Sequence, residues 1–135
     1  MTFYARGRLA VASIESERAR RDARVAVARR MARRLEREHD PWTGVLASAL
    51  RAAASNALGD RDGAIAALRE TLRRAEATDT IALAVPARYR LGELLGGAAG
   101  DALTKAACDE LIAEGIRNQA RWAAIFIPGR WSGAG

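Results

Sequence analysis

The chain reads as an all-α domain: a stack of three antiparallel helical hairpins followed by a C-terminal capping helix. Three observations lead there. Ala supplies 32 of the 135 residues; it has the highest helix propensity, while β-branched residues are few and no strand-like alternation occurs. Larger apolar residues recur at three- and four-residue spacings in successive windows of helical length. A glycine pair, Gly59 and Gly63, returns 37 residues later as Gly96 and Gly100, with segments of similar length on either side of each pair.

The organising stretch is 46–77. Two amphipathic segments flank the polar turn Gly59-Asp60-Arg61-Asp62-Gly63, which is too short to send the second helix anywhere but antiparallel to the first. A hairpin of this kind buries only one of its sides, so its neighbours must stack on it.

In chain order, residues 3–20 look helical through Leu9, Val11 and Ile14, and a turn is expected near Arg20 to Asp22, 37 residues before Gly59. From Val25 to Glu38, Val25, Ala28, Ala32 and Leu35 share a stripe that Val27 and Met31 widen. Asp40 and Pro41 fit an N-cap and first helical position. The helix they open runs to Leu58 and buries Val45 or Leu46, Ala49 or Leu50, Ala53 and Ala57. Its partner, 62–77, carries Ile65, Leu68, Leu72 and Ala75, with Glu70 four residues before Arg74 in the favourable order. Residues 81–95 hold Leu83, Ala87, Leu91 and Leu94 on one face, and Pro86 predicts a kink or restart. The next helix begins at Asp101, carries Leu103, Ala107, Leu111 and Ile112, and stops at Gly115. Asn118 caps the last, whose apolar edge is Trp122, Ile125 and Phe126. A single domain is therefore expected over 1–129, with hairpins at about 3–39, 42–77 and 80–115, a capping helix at 118–127 and a flexible tail at 130–135.

Twenty-one Arg and one Lys give a formal charge of +6; the Arg excess reads mainly as the codon bias of a GC-rich bacterial genome. Residues 1–40 hold 11 basic and 6 acidic groups, the remainder 11 and 10, so an electrostatic partner should meet the first segment. A lone Cys108 excludes an intramolecular disulfide and cannot alone build a zinc site. No signal sequence and no membrane-length apolar run is evident, so a cytoplasmic location and no membrane partner are expected.

No motif carries chemistry. Arg29, Arg30, Arg33 and Arg34 form a basic stripe within 18–37 that could lie against phosphates. Acidic residues are mixed in and no aromatic is interleaved for base stacking, which argues against nucleic acid. His39 has no second ligand or nearby nucleophile and reads as a helix C-terminal residue facing the dipole. The cluster Gly96-Gly97-Ala98-Ala99-Gly100 lacks the Lys and Ser or Thr of a phosphate loop and follows no strand, so its glycines read as helix ends. Asp109-Glu110 and Asp60 with Asp62 are the nearest paired carboxylates, in positions typical of solvated acids. No catalytic, cofactor or metal residue is assigned, no small-molecule substrate is evident, and the chain is expected not to be an enzyme.

The 37-residue period, with Ala64 just after the turn and Leu68 and Leu72 at bulky positions, resembles the tetratricopeptide repeat. The consensus aromatics and terminal proline are absent from the central hairpin. The resemblance implies a right-handed α-solenoid. A narrower likeness is to the C-terminal tail of multidomain, myxobacterial-type bacterial regulators that join a serine/threonine kinase domain to an ATPase domain. It rests on Arg88-Tyr89-Arg90-Leu91-Gly92-Glu93-Leu94-Leu95-Gly96-Gly97, on Gly115-Ile116-Arg117-Asn118-Gln119-Ala120-Arg121-Trp122 and on Pro128-Gly129. Pro86 and Gln119 depart from such tails, where a helix continues and a proline is common. No kinase element is present.

The sequence thus points to a non-catalytic protein-binding or self-associating scaffold in bacterial signal transduction. Its candidate contacts are Arg51, Ser55, Arg88 and Arg90 on the first helices of the hairpins, the alternative for Arg88 and Arg90 being that they only pair with Glu93 and the preceding turn. The alternative is nucleic-acid binding through Arg29, Arg30, Arg33 and Arg34.

Overall fold

A computed structural model describes Arg8, residues 21–127, Gly129 and Trp131. The described residues form six helices and no strand: α1 (Arg21–Glu36), α2 (Pro41–Ala57), α3 (Arg61–Ala77), α4 (Ile81–Leu95), α5 (Gly97–Ala113) and α6 (Gln119–Phe126). Each of α1 to α4 packs antiparallel against the next, and α6 turns back onto α4. Connections of one to five residues make this zigzag the simplest path.

The helix starts follow from local chemistry. Asp40 accepts a hydrogen bond from the Trp42 backbone N–H at 2.9 Å, with Pro41 at the first helical position. Asp60 likewise accepts from Gly63 at 3.0 Å, and Asn118 from Arg121 at 2.9 Å. Each satisfies one of the amide donors a helix leaves unpaired at its start. At the other end, Gly59 takes φ +76, the left-handed conformation that lets the chain leave α2 and re-enter α3 within three residues. Arg61 then donates to the Leu94 carbonyl at 3.0 Å, fixing the start of α3 to the C-terminal end of α4.

The core centres on α2. Every residue from Val45 to Ser55 except Arg51 is buried, so the paired options left open by the spacing, Val45 or Leu46 and Ala49 or Leu50, are all inside. This follows from position: α1 and α3 flank α2, and α4 touches it as well. α1 contributes Val25, Ala28, Ala32 and Leu35, α3 contributes Ala64, Ile65, Leu68 and Ala75, and α4 contributes Leu83, Ala87, Leu91 and Leu94. Ala is abundant because so many helix faces meet other helices at short range. A smaller cluster of Val85, Ala107 and Leu111, with Tyr89, Ile116 and Trp122 against it, joins α4, α5 and α6.

Several expectations need correction. Arg21 and Asp22 belong to α1, so the turn near them is absent at those two residues; Asp22 suits the first turn of a helix. The first half of the hairpin at 3–39 lies outside the described residues, apart from helical Arg8. Pro86 sits inside an uninterrupted α4 and is buried, so no restart occurs. Gly100 is not a helix end. A Cβ at Gly92 would stand 2.7 Å from the Gly100 carbonyl oxygen and 2.9 Å from the Thr104 nitrogen, so α4 and α5 cross with backbone against backbone. Ile112, assigned to the apolar face of its helix, is 61% exposed. Trp131, assigned to a flexible tail, is 1% exposed within the main core, beside the guanidinium of Arg90.

Candidate interaction surfaces

The seven arginines singled out by the sequence separate into three environments. Arg29, Arg30, Arg33 and Arg34 are exposed on α1, as the spacing requires. Arg30, Arg33 and Arg34, with Arg37, surround a shallow hollow of about 550 Å³ whose apolar part is Val27 and Met31. An apolar pair spaced four residues apart and edged by guanidinium groups is therefore presented on the outside of the first described helix.

Arg51 and Arg90 are engaged by other parts of the chain. Arg51 Nη1 donates to Glu36 Oε1 at 2.7 Å, and Arg74 Nη1 donates to the same oxygen at 2.6 Å. Arg74 also reaches Glu70 at 2.7 Å and the Gly44 carbonyl at 2.9 Å, and Glu70 holds Arg73. One network thus clamps α1, α2 and α3. Burial pushes the Glu36 carboxyl up, but hydrogen bonds from Arg74 and Arg51 outweigh it and hold the group below its ordinary value. Arg73, then Arg74, bring Glu70 down to about 2. The 70/74 pair was legible as a helix-surface ion pair; the link from Arg74 to Glu36 was not.

Arg90 is 5% exposed. Its Nε donates to the Ile127 carbonyl at 2.9 Å, its Nη1 to Glu93 at 2.7 Å, and its guanidinium carbon lies 5.9 Å from the centre of a Trp131 ring. The face of α4 that carries Arg90 is thus covered by the chain's own C-terminal segment. A buried guanidinium demands this set of acceptors, and the sequence offered one of them in Glu93.

Arg88 lies on a different side of α4 and bridges outward, 3.0 Å from Glu110 on α5 and 3.9 Å from Glu76 on α3. It stands in an open groove of about 660 Å³. The floor is apolar: Val85 and Leu111, with Ile116 and Trp122 half-buried beside them. Exposed Ala82 and Ala113 widen the opening, and Glu76, Asp79, Glu110 and Glu114 line its rim. Small residues on the facing sides of α3 and α5 leave the space, since neither fills the gap over α4. No spacing rule pointed to this groove, because its residues come from four segments.

The remaining residues weighed from the sequence lie apart from one another and take local roles. His39 is exposed in the turn after α1 with φ 58. Asp109 pairs with Lys105 at 2.9 Å, Asp60 is a cap and Asp62 lies in the first turn of α3. Cys108 is half-buried, and burial, then Asp109, push its thiol up, away from the reactive thiolate. Among the described residues no group of three or more His, Cys, Asp or Glu is placed to hold a metal ion, and no helix is long and apolar enough to cross a membrane. No protein-family model, curated protein or solved structure matches the chain.

Proposed function

We propose that the chain is a non-catalytic protein-interaction scaffold of tetratricopeptide-like, right-handed α-solenoid type. In this reading it is the C-terminal tail, or a detached homologue, of a bacterial signalling regulator that carries kinase and ATPase domains elsewhere. The observation that carries the scaffold reading is the groove over α4. It is apolar at the bottom, charged at the rim and framed by packed helices, the arrangement in which an amphipathic segment docks with its apolar face down. The kinase association rests only on the sequence likeness around Arg88 to Gly97 and Gly115 to Trp122.

Ala82→Arg and Ala113→Arg test the groove, because both alanines are exposed in it and neither supports the core. Immobilised wild-type chain should retain a specific protein from a bacterial lysate that the double variant, unchanged in its melting curve, does not. Equal retention by both proteins, or none by either from a chain that is also monomeric at high concentration, would remove the reading. Coding sequence immediately upstream of Met1 tests the association: an in-frame kinase or ATPase domain supports a tail.

A second reading is favoured by the exposure of Arg29, Arg30, Arg33 and Arg34 on α1. It is nucleic-acid binding, whose affinity would fall steeply with salt. Fluorescence anisotropy with a labelled duplex decides it: binding that is unchanged after all four become Glu eliminates nucleic acid.

A further inference from the structure

The groove and the α1 stripe are complementary. Four carboxylates, Glu76, Asp79, Glu110 and Glu114, surround an apolar floor that holds one arginine, Arg88. Val27 and Met31 on α1 stand four residues apart, half-exposed, among Arg30, Arg33, Arg34 and Arg37. The first is a slot for a basic amphipathic helix, and the second is such a helix. No groove residue lies on α1 or α2, so the two patches are distinct surfaces.

We propose that the occupant of the groove is α1 of a second copy of this chain. Val27 and Met31 seat on Val85, Leu111 and Trp122, while the arginines face the rim carboxylates. The contact joins two different patches, so it is heterologous: each copy offers one stripe and one groove, and copies add head to tail into a ring or an open chain. Matched charge at the rim guides encounter and fixes orientation, so association weakens as salt rises. The proposal rests on the scaffold reading, since it names the partner of the same groove.

Sedimentation of the full chain, and of variants reversed at exposed charges, tests it. Glu76→Lys with Glu114→Lys disables the groove and spares the Glu110 to Arg88 pair. Arg30→Glu with Arg33→Glu disables the stripe and leaves Arg34 in place. Wild type should show concentration-dependent oligomers that dissociate in high salt, and each double variant should associate roughly tenfold or more weakly. Mixed together, the two variants should associate again in alternating order, because native stripe meets native groove and reversed stripe meets reversed groove. The fourfold variant, with both patches reversed, should regain oligomers. A wild-type monomer at all concentrations, or oligomers indifferent to both double variants, would overturn self-docking. Retention of a lysate protein that Ala82→Arg with Ala113→Arg abolishes would leave the scaffold reading standing in that case.

Discussion

Arg90 Nε and the Ile127 carbonyl oxygen, 37 residues apart in the chain, meet at 2.9 Å inside the protein. This bond ties the segment after α6 to α4 and seats Trp131 over the core. It also decides which surfaces remain open, because the side of α4 that carries Arg90 is covered and the side that carries Arg88 is not.

The C-terminal segment should therefore be integral to stability. Trp131→Ala, which empties a fully buried indole site, is expected to lower the unfolding free energy by about 3 kcal/mol. Arg90→Met removes the donor to Ile127 and the partner of Glu93 and should cost about 2 kcal/mol. Urea denaturation measures both. The double variant should lose less than the sum, since the two side chains hold the same segment.

Acid should loosen the clamp between α1, α2 and α3. Glu70 and Glu36 sit below their ordinary value of 4.5 in the folded chain. Their stabilisation is thus fully present above about pH 4.5 and is lost as pH falls, for Glu70 towards about 2. Both carboxylates are partly exposed, so solvent screening limits the effect of each to about 1 kcal/mol or less. Melting temperature followed from pH 6 to pH 2 should fall, and Glu36→Gln with Glu70→Gln should flatten the decline at the cost of lower stability at pH 6.

The crossing of α4 and α5 should tolerate no added carbon. Gly92→Ala and Gly100→Ala each drive a methyl group into the facing backbone and are expected to destabilise by about 1–3 kcal/mol. Thr104→Ala, which loses only a hydroxyl bonded within its own helix to the Gly100 carbonyl at 3.0 Å, should cost less than either. Denaturation curves for the three proteins check the order.

Cys108 should react slowly. Half-burial and a raised thiol predict that native protein is modified by a disulfide reagent at pH 7 more slowly than protein in denaturant. Equal rates would mean that the α4/α5 side is more open than the packing indicates.

What the sequence disclosed was local. Asp40 and Asn118 cap the helices they were expected to cap, and the stripes on α1, α3 and α4, half-buried Leu72 apart, are buried because apolar spacing reports directly on which face meets a neighbour. What it concealed was tertiary. The period holds in role for Gly59 and Gly96, which both take positive φ between helices, but not for the second members, since Gly63 makes room for the Asp60 cap and Gly100 for Gly92. Arg51, Arg88 and Arg90 looked equivalent as cations on first helices, and only packing separates the clamp, the groove and the buried strap. Trp131 among small tail residues gave no periodic signal, although a tryptophan that close to a chain end is itself a reason to look for a burial site. The groove could not be read at all, because the gap between α3 and α5 depends on where two helices stand.

Site-specific photo-crosslinking tests the assignment of the α4 groove as the docking surface most directly. A photoreactive side chain replacing Ala113, in the groove, is to be compared with one replacing Ala98, exposed at the opposite end of α5. Covalent adducts to a protein partner, a second copy included, should form from position 113 and not from position 98. Adducts from position 98 alone, or none from 113 under conditions where the chain associates, would contradict it.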